Sequence, residues 1–187
     1  LSRIGVRTFS VTGGEPLLRS DLLEILKYAS QKGLNTGIAT NGFFITRQVA
    51  RDIKESGISS IQISLDGTKE IHNRIRGDND SFSRAFAAVS YLQEVKIKSI
   101  TIATTVTPLN IDVLHDMRKL LSSLHINMWR ISTVMCIGRA EKNSNLLLSS
   151  ALMRQLLQFV SSSRSKLNIV MAENLPFLSE YERKARA

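Results

Sequence analysis

Ser60-Ile61-Gln62-Ile63-Ser64-Leu65-Asp66 alternates without a break. Ile61, Ile63 and Leu65 fall on one side, Gln62, Ser64 and Asp66 on the other, the period of a strand with one buried face. Two further runs repeat the pattern. Ile100 and Ile102 oppose Thr101, Ala103 and Thr105, and Trp129 and Ile131 oppose Arg130 and Ser132. With the runs at 8–11, 36–40 and 167–172, six strands are expected, the middle ones spanning 60–66, 99–106 and 128–135.

Helical stripes lie between these runs. Leu22, Leu23, Leu26 and Ala29 form one, opened by Ser20 and closed by Gly33. Val49 and Ile53 lead to a stop at Gly57. Phe82, Ala85, Phe86, Val89 and Leu92 follow helical spacing, with Ser81 as the expected N-cap. Val113, Leu114, Met117, Leu120, Leu121 and Leu124 make another stripe, and Leu152, Leu156, Leu157 and Val160 follow Ser149-Ser150. At this spacing they are core.

Strand and helix in strict alternation imply right-handed crossovers and a parallel sheet. In an open doubly wound sheet, helices cover both faces and both should be apolar. A polar face repeated on three strands instead points to a curved sheet. The expected fold class is α/β, with a parallel sheet curved into a partial barrel.

At the end of the first run stands Thr12-Gly13-Gly14-Glu15-Pro16. Two glycines let a backbone approach a ligand closely, and Pro16 stiffens the exit. Exposed carbonyls beside the Glu15 carboxylate would suit an ammonium group. An ordinary strand-to-helix turn would use the same residues, so the other strand ends decide. They carry Thr40-Asn41-Gly42, Ser64-Leu65-Asp66-Gly67, Thr105-Val106-Thr107 and the turn-forming stretch 135–140. Asn41-Gly42 and Asp66-Gly67 are common turn pairs. Their placement, one cluster at each strand's C-terminal end, is where parallel βα barrels put reactive groups.

The 187 residues, 43% apolar, exclude a disordered chain and suffice for one domain, expected to span 1–187 with a linker starting at about 174. No apolar run could cross a bilayer and no signal peptide is visible. A single cysteine, Cys136, excludes an internal disulfide and fits a reducing cytoplasm. Placed at a strand end, it reads as a buried structural thiol. The net charge of +9 is spread along the chain, with Arg183, Lys184 and Arg186 at its end, and reads as solvated surface. His72 reads as a packing residue of the loop after Asp66-Gly67, and neither His115 nor His125 suggests chemistry.

TGGEPLL at 12–18, ATNG at 39–42, ISLDG at 63–67, IHNRIRG at 71–77 and the GRA ending at 140 together resemble the radical S-adenosylmethionine (SAM) superfamily, in its branch with a C-terminal auxiliary-cluster (SPASM or twitch) domain. The resemblance implies a parallel (βα)6 partial TIM-type barrel with SAM across its top beside a [4Fe–4S] cluster, and reductive cleavage of SAM to a 5′-deoxyadenosyl radical. It places Gly13, Gly14, Glu15 and Pro16 at the SAM amino group, with Asn41 beside them. Ser64 and Arg84 would meet the SAM carboxylate, with Asp66 on the same strand face. Thr105, Thr107 and Met135 would border adenine and ribose, and Arg130 would face SAM or substrate.

Such proteins bind their cluster through a CxxxCxxC loop after the first strand, and this sequence has no such triad. It therefore reads as a fragment, beginning at Leu1 and lacking strand one, its helix and the auxiliary domain. No metal ligand is expected within it, and alone it should be inactive. The parent is expected to be an oxidoreductase or maturase that takes electrons from an external donor. Its substrate would be a peptide, a protein or a small cofactor precursor, as in pyrroloquinoline quinone synthesis. Neither membrane nor nucleic acid is an expected partner, and an unpaired sheet edge would favour self-association. Two alternatives stand beside this reading. One is a conventional βα-barrel lyase or aldolase using Glu15 or Asp66, which lacks a strand-end lysine. The other is a basic RNA-binding or scaffold domain, for which 6% aromatic residues are few.

Overall fold

Six strands form where the alternating runs predict them. The computed structural model describes residues 4–164 and 167–172. Strands β1 (Thr8–Val11), β2 (Asn35–Thr40), β3 (Ser60–Ser64), β4 (Ser99–Val106), β5 (Met128–Thr133) and β6 (Ile169–Met171) form one sheet in sequence order. The registers are parallel: Val11 pairs with Ile38, Ile38 with Ile61, and Trp129 with Ile169. Helices α1 (Leu22–Gln31), α2 (Arg47–Glu55), α3 (Lys69–Arg76), α4 (Ser81–Glu94), α5 (Leu114–Ser122) and α6 (Ser150–Ser163) are the crossovers. The strand faces alternate as expected. Ile61, Ile63, Ile100, Ile102, Trp129 and Ile131 are buried, while Gln62, Ser64, Thr101 and Ser132 are half-buried and Thr105 and Arg130 exposed.

Contacts cluster in two compact units, Leu1–Leu65 with Asp80–Ile102, and Asp66–Asn79 with Ala103–Ala187. In the first, α1 buries Leu22, Leu26 and Ala29, α2 buries Ala50 and Ile53, and α4 buries Ala85, Ala88, Val89 and Leu92. Burying each large aliphatic contributes roughly 1.5–3 kcal/mol. Thr46 caps α2, its side chain accepting from the Val49 N–H. The caps expected at Ser20 and Ser81 are corrected. Asp21 and Asp80 hold the N-cap positions without side-chain cap bonds, and Ser81 is the first helical residue of α4 and buried. The turn after β2 needs Gly42 twice over: its φ is +78°, and a Cβ would lie 3.2 Å from the Ala85 Cα.

In the second unit, α5 and α6 pack Leu114, Met117, Leu121, Leu156, Phe159 and Val160 against the apolar face that carries Trp129 and Ile131. The Trp129 Nε1–H donates to Thr104 Oγ1 at 2.8 Å, and its ring meets Phe159 edge-on at 5.7 Å. Ser149 caps α6 by accepting from the Leu152 N–H.

Four expectations are corrected here. Residues 69–76, read as loop, form α3, so His72 lies on a helix. Strand β3 ends at Ser64 rather than 66. The Asp66 N–H donates to His72 Nδ1 and its carbonyl accepts from Asn110, so side chains take the place of a strand partner. Cys136 is exposed, not buried. Strand β5 stops at Thr133, and the following segment runs outward with Met135 and Ile137 60% and 70% accessible. The expected linker from 174 lies outside the described residues. No described helix is long and apolar enough to cross a membrane.

Candidate functional site

Two strand ends of the first unit meet at Glu15. Strand β1 leaves the sheet through Gly13, whose φ of +148° an L side chain rarely adopts. Gly13 and Gly14 are exposed, and a Cβ added to either would meet nothing within 4 Å. Glu15 caps the 3-10 turn Pro16–Leu18, with Pro16 buried at its first position. Its Oε1 accepts from Thr40 Oγ1 at 2.7 Å and from the Leu17 N–H at 3.2 Å, and Oε2 accepts from the Asn41 N–H at 2.9 Å. Thr40 Oγ1 in turn accepts from the Gly42 N–H, and Asn41 Oδ1 from the Phe43 N–H. Hence the carboxylate joins the exits of β1 and β2.

All three donors to Glu15 are neutral. Among the described residues no cation lies within ion-pair distance of it. A carboxylate offers about four acceptor sites, and three are used. The result is a half-buried, immobilised negative charge with accepting capacity left, beside two glycines whose backbone is open to solvent. That arrangement suits a small cation carrying several N–H donors. In the same unit Ser64 closes β3, half-buried. Arg84 is exposed on α4, its guanidinium 4.1 Å from the centre of the Phe43 ring, a cation–π contact.

In the second unit Asp66 is buried and its carboxylate is taken. Oδ2 pairs with Arg76 Nη2 at 2.6 Å, and Oδ1 accepts from the Thr105 N–H at 3.0 Å. His72 is also buried, and its Nδ1 accepts from the Asp66 N–H at 2.9 Å. Burial, reinforced by the Arg76 charge and opposed by that of Asp66, lowers its pKa to about 4. Asn110, fully buried, donates from Nδ2 to the carbonyls of Asp66 and Thr105, and its Oδ1 accepts from the Thr107 N–H. Thr107 is buried in this turn, and the Thr105 hydroxyl lies 3.2 Å from that of Ser132. Arg130 is exposed on β5, and Met135 stands beyond the strand end.

The structure thus gathers Gly13, Gly14, Glu15, Pro16 and Asn41 in one place, and Asp66, Thr105 and Thr107 in another. Sequence reasoning assigns no role to Thr40, Arg76 or Asn110. A Thr-Pro turn closed by Asn110 is the available signal for the last. A cavity of about 410 Å³, lined in part by Ile111, His115, Gln155 and Phe159, includes none of the predicted site residues. Among the described residues no group of three or more His, Cys, Asp or Glu side chains could hold a metal ion.

Comparison with known proteins gives these features a family. The chain is 35% identical over 130 residues to "AdoMet-dependent heme synthase" of Oleidesulfovibrio alaskensis, covering 69% of this chain and 33% of that protein. It is 27% identical over 169 residues to "PqqA peptide cyclase" of Bradyrhizobium diazoefficiens, covering 89% and 44%. The chain therefore spans less than half the length of these relatives. Among solved structures, SuiB of Streptococcus suis bound to S-adenosylmethionine superposes with a TM-score of 0.72 at 17% identity, covering 88% of this chain and 39% of that one. That likeness shows the fold, the parallel βα sheet of the partial TIM-type class. Residues 1–121 match the description of the Radical SAM superfamily, and the chain belongs to that superfamily.

Proposed function

We propose that the longer protein containing this chain is a SAM-dependent radical enzyme that modifies a peptide or a cofactor precursor. Radical SAM proteins use SAM together with a [4Fe–4S] cluster. Similarity to both a heme synthase and a peptide cyclase supports the substrate class. One observation carries the SAM assignment: the Glu15 carboxylate is fixed by neutral donors alone, next to open backbone at Gly13 and Gly14.

These residues fit SAM. Its methionyl ammonium would be held by Glu15 and the carbonyls of Gly13 and Gly14, charge-assisted contacts stronger than neutral hydrogen bonds. Ser64, Arg84, Thr105, Thr107, Arg130 and Met135 keep the roles that the resemblance implies. The cluster does not fit this sequence, which holds one cysteine where three thiolates are required. Its ligands are assigned to the longer protein, as is the contact with an electron donor. When bound, SAM supplies the radical that takes a hydrogen atom from the substrate. This chain's own residues bind and orient it, Glu15 fixing the ammonium end and so the position of the rest.

Isothermal titration of the longer protein with SAM tests the reading. The wild type should bind, and Glu15→Ala should weaken binding roughly ten- to a hundredfold, the equivalent of about 1.5–3 kcal/mol. Iron content should not change, because Glu15 ligates no iron. Unchanged SAM affinity in a destabilised Glu15→Ala protein would reduce the motif to a structural turn.

A further inference from the structure

The family resemblance places Asp66 among the cofactor contacts, yet its surroundings give it different work. One carboxylate oxygen is held by Arg76 and the other by the Thr105 N–H, and the residue is only 4% accessible. Its peptide group is equally committed. The N–H goes to His72 Nδ1 and the carbonyl to Asn110 Nδ2, at 2.9 and 2.7 Å. Buried and held on both oxygens, it presents a ligand with no exposed group.

Asn110 completes the arrangement. Its amide offers two N–H donors and one carbonyl oxygen. The donors go to the carbonyls of Asp66 and Thr105, at 2.7 and 2.9 Å, and the oxygen accepts from the Thr107 N–H at 2.8 Å. No water can replace these bonds cheaply, because Asn110 is fully buried. Both faces of the exit from β4 are therefore fixed. Asp66 holds the N–H of Thr105, Asn110 holds its carbonyl, and Asn110 also holds the N–H of Thr107. Pro108 in the same turn donates no hydrogen bond and has a restricted φ.

We propose that Asn110, together with Asp66, is a positioning residue for SAM: the pair sets the backbone of residues 105–107 without touching the ligand. This rests on the reading that the protein binds SAM through a surface at the exit of β4 that includes Thr105. The clamp presents the Thr105 side chain outward, exposed, while the peptide groups on either side stay fixed.

The test combines amide hydrogen exchange with SAM titration on the longer protein. In Asn110→Ala, exchange at Thr107 should accelerate at least about tenfold, the consequence of losing one buried hydrogen bond. Amides of residues 129–131 should keep their protection. SAM affinity should fall by about tenfold, and Asn110→Asp, which burial holds neutral and which keeps the acceptor for the Thr107 N–H and one donation, should recover part of it. If Asn110→Ala does not fold, Asn110→Asp carries the test alone: full burial holds the acid in its neutral form, so Thr107 stays protected and SAM binding weakens because one of the two donations is lost, and wild-type SAM affinity there would overturn the proposal. Acceleration spread evenly over β4 and β5 would make Asn110 a general stability residue and overturn the proposal. So would wild-type SAM affinity in a variant whose Thr107 amide is freed. A wild type that does not bind SAM would instead sink the proposed function, and the positioning role with it.

Discussion

Glu15 and Asp66 look alike in the sequence, each an acid at the end of a parallel strand beside glycine. Their surroundings make them opposites. Glu15 is half-buried, held by a hydroxyl and two backbone N–H groups, and no cation answers its charge among the described residues. Asp66 is buried and neutralised by Arg76. Hydrogen bonds from neutral donors immobilise a carboxylate and leave its charge available, whereas a guanidinium uses the charge up. A strand-end acid is thus a ligand contact or a structural anchor according to what balances it. The anchor should matter to stability and the open acid to affinity, and variants at the two places can be ranked by their effect on folding.

The largest loss of stability is expected for Asp66→Ala. It strands Arg76, whose side chain is about one third accessible, and frees the Thr105 N–H. Breaking a buried pair costs about 3–5 kcal/mol, and partial exposure of the arginine places this case near the lower end. Urea denaturation measures it. A loss below about 1 kcal/mol, the scale of an exposed pair, would place Asp66 with Glu15 instead.

Next comes acid. The folded-state pKa of His72, about 4, lies below the ordinary histidine value of 6.5, because burial outweighs the opposing Asp66 charge and the Arg76 charge adds to it. The unfolded chain then binds more protons across this window. The stabilisation is complete above pH 6.5 and is lost as pH falls toward 4, with on the order of 2 kcal/mol of it gone by about pH 5. Comparing denaturation at about pH 7 and about pH 5 with the same pair in His72→Asn isolates the histidine's share. The asparagine amide oxygen can accept from the Asp66 N–H but does not titrate. An equal pH slope in both proteins would remove His72 from the acid response.

Much of the fold is legible in the sequence, and the failures have physical causes. Strand β4 matches residue for residue because Ile100 and Ile102 alternate with polar neighbours along it. Helix α3 escapes notice because Lys69–Arg76 has only Ile71 and Ile75 as large aliphatics, too few to declare a stripe. Its one buried residue is His72. Cys136 reads as buried only if β5 runs on to Met135, and the strand ends at Thr133. Thr40 and Asn110 escape because their partners lie far along the chain, at Glu15 and Asp66, where periodicity carries no information. Order and spacing of strand-end motifs reveal the family. Which acid is free and which is bound requires three dimensions.

Glu15→Ala should affect folding less than either change above. Three hydrogen bonds from neutral donors are lost at a half-buried position where water can replace some of them, for about 1 kcal/mol. The same substitution should weaken SAM binding roughly ten- to a hundredfold. Thr40→Val separates the two effects, since it removes one tether and leaves the charge. Stability should fall by at most about 1 kcal/mol and SAM affinity only a few-fold. If Thr40→Val weakened SAM as much as Glu15→Ala, the geometry of the turn would matter and the charge would not.

The smallest effect on folding is expected at Gly14. Unlike Gly13, it does not have a positive φ, and a Cβ there meets no atom within 4 Å. The protein itself therefore gives no reason for glycine at this position. Gly14→Val should change stability by no more than about 0.5 kcal/mol, as at an unconstrained surface site. A ligand held against the Gly13-Gly14 backbone would give that reason, since a branched side chain would stand in the path of its approach. SAM affinity should then fall at least as far as in Glu15→Ala, with the denaturation midpoint unmoved. That combination requires contact from outside the chain, because nothing within it is disturbed. If Gly14→Val bound SAM like the wild type, the open backbone beside Glu15 would be solvent-facing turn, and the uncompensated charge would have to act alone.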